Sequence, residues 1–230
     1  IKKSDAILFS CSDLAAKWLF DDSEYIQLNN GIDLNDFIFD YEKRERYRKE
    51  INLSGKIVYG HVGRFTYQKN HKKLIDIFSK IVIKETNAVL VLVGEGEEKQ
   101  EIISYLEKLR LSEKVIFLGL RSDVSNLINA FDKIIFPSYY EGFPLVLVEA
   151  QANGIPVYFS DTITKNAKLL EESKLFLLNE ENETIADFIT GFPLKKDRNK
   201  AIEILKERGY EKKDIVEYLY KFYTGKRIVK

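Results

Sequence analysis

Methionine is absent from all 230 residues, so the chain is expected not to begin at its natural start and Ile1 to lie partway into a longer gene product. One cysteine, Cys11, excludes an internal disulfide framework and a thiolate metal cluster, which fits a reducing compartment. No apolar run approaches the roughly 18 residues that a membrane span needs, and no secretory core follows Ile1, so a soluble, cytoplasmic protein is expected. Net charge is missing as well. The 36 basic side chains balance the 36 acidic ones, leaving no global field to draw the chain to nucleic acid. No Asp-x-Asp pair, His/Cys/Asp cluster with ligand spacing, or Gly-x-Ser-x-Gly elbow occurs, so neither a bound metal nor a serine hydrolase is indicated.

What is present alternates. Short β-branched runs at 57–59, 88–93, 115–118, 133–136, 157–160 and 175–178 are separated by segments of helical period at 72–84, 98–110 and 123–131, and Pro144 opens a further helix in its first turn. This pattern predicts an α/β, Rossmann-like parallel sheet with helices on both faces. Residues 6–10 and 25–28 are candidate strands around a helix at 12–20. Residues 41–50 are so charged that they read as a solvated helix or linker. From Asp197 the chain reads as two helices broken at Gly209, and residues 195–230 hold 12 basic and 6 acidic side chains, the one local imbalance.

The first strands each run into a glycine-rich or polar loop. In open α/β sheets ligands sit beyond the carboxyl ends of the strands, so these loops should line one site. Glu141 and Glu149 stand eight positions apart around a helix start. At about 1.5 Å rise per helical residue the two carboxylates should lie roughly 10 Å apart. Between them the free amides of Gly142, Phe143 and Leu145, with Pro144 preceding Leu145, form an anion-binding helix terminus. A diphosphate flanked by two hydroxyl-bearing rings suits this layout; an ordinary turn and a core helix with a polar edge is the alternative. In Gly63-Arg64-Phe65-Thr66-Tyr67-Gln68-Lys69, Arg64 offers a planar fork and Lys69 a point charge for phosphate oxygens, or both are solvated loop cations. Gly94-Glu95-Gly96 is too short for a dinucleotide fingerprint, Arg121 reaches either a base or the surface, His61, placed near the expected phosphates, reads as structural, and His71 has no acidic partner in sequence that would identify it as a base.

Gly63-Arg64 with Lys69-Asn70, Val93-Gly94-Glu95-Gly96, the strand ending at Gly119, Phe136 through Pro144 to Glu149-Ala150, and Gly154-Ile155-Pro156-Val157 together resemble glycosyltransferase family 4 over residues 55–165. Gly119-Leu120-Arg121-Ser122-Asp123 and Val148-Glu149-Ala150-Gln151-Ala152 are similar to bacterial enzymes of capsular and exopolysaccharide biosynthesis. The resemblance implies a two-domain GT-B architecture and a retaining, metal-independent transfer of a hexose-type sugar. The donor is a nucleotide-diphosphate sugar, UDP-sugar before GDP-sugar, and the acceptor a polysaccharide or a lipid-linked glycan. Arg64 and Lys69 would bind the diphosphate, Glu149 the ribose, and Glu141 with the neighbouring amides the transferred sugar; Gly63, Gly94, Gly119 and Arg121 would complete the donor pocket.

Asn30-Gly31-Ile32-Asp33 resembles the family's interdomain junction. On that pattern residues 1–38 are the remnant of an N-terminal acceptor domain that is otherwise missing, 39–196 the donor domain, and 197–230 the C-terminal helices. The chain is then expected to bind donor while transferring sugar poorly. The basic C-terminal helices would touch the inner face of the plasma membrane peripherally, or are merely solvated. The competing readings are a non-catalytic nucleotide-sugar-binding subunit and a sugar-nucleotide epimerase of the same fold.

Overall fold

The computed structural model describes residues 6–194 and 197–225. A short parallel pair, β1 (Phe9–Ser10) and β2 (Ile26–Gln27), brackets helix α1 (Asp13–Phe20), whose first turn is capped by the Ser12 hydroxyl accepting from the Ala15 amide. After α2 (Tyr41–Glu50) come β3 (Ile57–Val62), α3 (His71–Lys84), β4 (Ala88–Val93), α4 (Lys99–Leu109) and β5 (Val115–Phe117). The second half comprises the single-turn α5 (Val124–Leu127), β6 (Lys133–Phe136), α6 (Leu145–Ala152), β7 (Val157–Ser160), β8 (Lys174–Phe176), α7 (Asn182–Thr190), α8 (Ala201–Glu207) and α9 (Lys212–Thr224).

Strands β3 to β8 form one parallel sheet in the order β5-β4-β3-β6-β7-β8. All six residues of β4 are buried, as a strand covered on both faces requires. Alternate side chains feed two cores. Val89, Val91 and Val93 face the side covered by α5, α6 and α8, while Leu90 and Leu92 face α3, α4 and α7. The chain runs outward from β3 to β5, then returns to the other side of β3 to lay down β6, so the topological switch point lies between β3 and β6.

Several expectations change. β3 extends three residues beyond 57–59, because Gly60 continues the ladder opposite Val91. A Cβ at Gly60 would come within 2.3 Å of the Phe131 ring, so glycine there makes room for a core aromatic rather than ending the strand. Segment 123–131 is one helical turn followed by a 3-10 turn, Ile128–Ala130. Pro144 is the extended residue before α6 rather than its first-turn residue. The charged α2 is no linker: Arg44, Tyr47 and Arg48 share one face, and Tyr47 and Arg48 are buried. Asp132 receives Arg44 at 2.5 Å, Arg48 at 3.1 Å and the Val58 amide at 2.8 Å, with Arg198 at 3.9 Å, so one carboxylate ties α2 and the approach to α8 to the start of the sheet. Of the expected basic C-terminal cations, Lys195, Lys196, Lys226, Arg227 and Lys230 lie outside the described residues. Among the described residues no helix is long and apolar enough to cross a membrane.

Candidate donor site at the switch point

The loops that leave β3 and β6 meet at the switch point. After β3 the chain turns through Gly63 and Arg64 into a 3-10 turn, Tyr67–Lys69, and Asn70 then adopts a left-handed conformation and caps α3, its side chain accepting from the Lys73 amide. This loop is stitched to the one after β6. The Tyr139 amide donates to the Gln68 carbonyl at 2.9 Å, the Gln68 side chain donates to the Tyr140 carbonyl at 2.9 Å, and the Tyr67 and Tyr139 rings stack at 4.6 Å.

Those contacts bring Lys69 and Glu141 together. Lys69 Nζ lies 2.6 Å from Glu141 Oε1 and 4.7 Å from the centre of the Phe136 ring, with side-chain exposures of 17% for the lysine and 8% for the glutamate. Beside the pair, the amides of Gly142, Phe143 and Leu145 donate to no acceptor among the described residues, leaving the start of α6 open to an anion. Glu149, half-buried in α6, has no ion pair among the described residues, and burial raises its pKa.

The other expected residues line an adjoining cleft of about 460 Å³ formed by Gly63, Arg64, Gly94, Gly96, Leu120 and Arg121, among others. Gly94 has φ +141°, and a Cβ there would sit 2.0 Å from the Gly63 carbonyl oxygen, so only glycine lets the two loops approach. Gly94 also donates to the Gly119 carbonyl at 2.8 Å, which draws the loop after β5 into the same wall. Arg64 does not meet Lys69. Its guanidinium pairs with Glu97 at 3.3 Å and is 73% exposed. Arg121 is held by both oxygens of Asp123, at 2.8 and 2.6 Å, and lines the cleft instead of reaching freely across it.

Both histidines are buried beneath this site. His61 Nδ1 donates to the Ile135 carbonyl at 2.9 Å, which leaves Nε2 as a bare acceptor without a partner. His71 has no partner on either nitrogen; its ring stacks on Phe65 at 4.1 Å and meets His61 edge-on at 4.7 Å. Burial, with a smaller contribution from the Lys69 charge, pushes the His61 pKa down to about 4, and burial, with His61 and the Lys69 charge, pushes that of His71 down to about 2. They therefore stay neutral under the lysine. Sequence reasoning missed the tyrosine pair, Gln68, Phe136 as a platform for Lys69, and Ser12, whose hydroxyl donates to the Gly142 carbonyl at 2.9 Å. These contacts join residues 67 to 130 positions apart, for which one sequence carries no signal; only the run of aromatics around Glu141 hints at them.

Among the described residues no group of three or more His, Cys, Asp or Glu side chains is placed to hold a metal ion. Residues 43–212 match the model of the family described as glycosyl transferases group 1. The chain belongs to that family. EpsF of Bacillus subtilis (strain 168), named as a glycosyltransferase, is 34% identical over 164 residues, which are 69% of this chain and 43% of EpsF. The UDP-Gal:alpha-D-GlcNAc-diphosphoundecaprenol alpha-1,3-galactosyltransferase of Escherichia coli is 31% identical over 154 residues, 65% of this chain and 40% of that enzyme. The crystal structure of Anabaena HepE in complex with UDP and glucose superposes with a TM-score of 0.81 at 21% identity, covering 95% of this chain and 62% of HepE, a likeness of fold. The chain thus spans less than half the length of these two curated relatives.

Proposed function

We propose that this group 1 family chain is the donor-binding part of a retaining glycosyltransferase. On this reading it moves a hexose-type sugar from a nucleotide-diphosphate sugar, UDP-sugar before GDP-sugar, to a polysaccharide or lipid-linked acceptor in bacterial exopolysaccharide or O-antigen synthesis. The single observation that carries the proposal is the Lys69–Glu141 pair at the switch point, set against the open amides of Gly142, Phe143 and Leu145. The UDP in HepE and the UDP-sugar in the name of the Escherichia coli relative support it.

In this mechanism the donor diphosphate displaces the Glu141 carboxylate from Lys69. Glu141 then turns to the sugar hydroxyls, and Glu149 takes the ribose. The bond from the anomeric carbon to the diphosphate oxygen breaks, its electron pair leaving with the nucleoside diphosphate. An acceptor hydroxyl attacks the same face, and its proton passes to the departing diphosphate. Lys69 and the α6 amides stabilise the charge that grows there. Arg64 joins them by leaving Glu97, since an exposed pair of that kind holds with less than about 1 kcal/mol. Residues 1–38 belong, on this reading, to an acceptor domain, and 39–196 are the donor domain. A peripheral membrane contact through residues 197–230 goes with the proposal; liposome co-sedimentation without retention contradicts that part.

A thermal-shift panel of UDP-, GDP- and ADP-sugars tests the donor assignment, because a ligand that binds only the folded chain raises Tm with its occupancy. A rise with UDP-sugars that Lys69→Met abolishes supports it; no rise with any nucleotide sugar contradicts it.

A further inference from the structure

A second cleft, of about 340 Å³, opens on the other side of the α1 start and is lined by Lys165, Lys168 and Arg208 together with Gln27, Asn29 and Asn166. No carboxylate lines it. None of the three cations forms an ion pair among the described residues; Arg208 only donates weakly to the Lys168 carbonyl, at 3.4 Å. A carboxylate that touches the lining, Asp13, accepts from the neutral amide of Asn166 at 3.2 Å and from the Tyr25 hydroxyl at 3.0 Å. Three like charges gathered in a concavity, with the single negative charge of Asp13 at its edge, leave a net positive field in the cleft, and an anion of two or more charges relieves it. Two lysines as point charges and one guanidinium fork match the many acceptor oxygens of a phosphate ester better than the two of a carboxylate, while the amide nitrogens of Gln27, Asn29 and Asn166 already donate to Asn29, to the Arg208 and Gly209 carbonyls and to Asp13.

The cleft is also mechanically joined to the donor loop. Tyr210, buried in its floor, stacks on Phe143 with ring centres 6.1 Å apart. Adjacent residues of α1 and its cap bridge the two places: Ser12 holds the Gly142 carbonyl and Asp13 holds Asn166. Consecutive Cα atoms are about 3.8 Å apart, so the cleft lies on the order of 10 Å from the donor loop. That distance is within reach of a short glycan attached to a phosphate.

We propose that Lys165, Lys168 and Arg208 form a second anion site that holds the diphosphate of a lipid-linked acceptor while its glycan reaches the donor loop. The diphosphate chemistry stands on the cleft itself, and the acceptor assignment rests on the proposed function. The test titrates inorganic pyrophosphate into the chain saturated with UDP, so that the donor site is filled. Saturable binding is expected, weakened at least about tenfold by the combined Lys165→Gln, Lys168→Gln and Arg208→Gln substitutions, with UDP affinity unchanged as the control for folding. No saturable pyrophosphate binding beside bound UDP, or binding indifferent to the triple substitution, overturns the site and leaves the donor reading standing. If UDP itself does not bind, pyrophosphate is titrated into the Lys69→Met chain; binding that the triple substitution abolishes then supports the site although the donor reading has failed. Vesicles of phosphatidylcholine doped with a polyprenyl diphosphate are expected to retain the chain more than vesicles doped with phosphatidylglycerol. Equal retention on both overturns the acceptor assignment.

Discussion

Replacing Lys69 with Met and Glu141 with Gln, singly and together, separates the two jobs assigned to one ion pair. At 2.6 Å and with side-chain exposures of 17% and 8%, the pair is largely desolvated. Removing one partner of a fully buried pair costs about 3–5 kcal/mol, and the partial access of water to Lys69 reduces that to about 2–3 kcal/mol for each single substitution. The double variant should lose about 1–2 kcal/mol less than the sum, because neither charge is left stranded. Nucleotide binding should split the other way. Lys69→Met removes a charge-assisted contact to the diphosphate worth about 1.5–3 kcal/mol and should weaken UDP roughly 10- to 100-fold. Glu141→Gln removes the group that UDP must displace, so UDP should bind as tightly or up to about tenfold tighter, even though the protein is less stable. Urea unfolding followed by far-UV circular dichroism reads the first quantity, and calorimetric titration with UDP reads the second. Equal weakening of UDP by both single substitutions, or strictly additive stabilities, would refute the reasoning.

Three further outcomes follow from the same geometry. Gly94→Ala forces φ +141° on a residue with a Cβ and drives that Cβ to 2.0 Å from the Gly63 oxygen, so a loss of about 3 kcal/mol and a fall in Tm of roughly 10 °C are expected by calorimetry. His61 and His71 are held neutral in the folded chain while their unfolded forms take up protons below about pH 6.5, so stability is lost as pH falls from 6.5 toward 4; at pH 5 the loss is about 2 kcal/mol per histidine, and urea unfolding of His71→Phe at pH 7.5 and pH 5 should show half the wild-type difference. Asp132→Asn leaves Arg44 and Arg48 without their common carboxylate and should cost about 3–5 kcal/mol in urea unfolding, whereas a change below 1 kcal/mol would contradict the role given to that cluster.

The parts legible in the sequence are those whose signal is local. β4, β6 and β7 begin and end where their β-branched runs do, and α3 is one residue longer than its apolar stripe indicates. Helix α7 escaped notice. It carries only Ile185, Ala186 and Ile189 as buried residues in nine, behind an acidic stretch that reads as a loop. The charged α2 misled in the opposite sense, since composition alone does not reveal that Arg44 and Arg48 have a carboxylate waiting at position 132. The same limit applies to the site. The glycines at 63 and 94, the cation at 69 and the acid at 141 are readable as residue types with suitable chemistry, but the 2.6 Å contact across 72 positions is set by the order of strands around the switch point. Arg64 illustrates the converse, because a residue adjacent to the right glycine pairs with the exposed Glu97 instead of meeting Lys69.

Backbone amide resonances titrated with UDP test the central claim most directly. Saturable shifts concentrated at Gly142, Phe143 and Leu145 and along the Gly63 and Gly94 loops, lost in the Lys69→Met chain, are the expected result. Shifts confined to other parts of the sheet, or shifts at α6 that persist without the Lys69 ammonium, would contradict it.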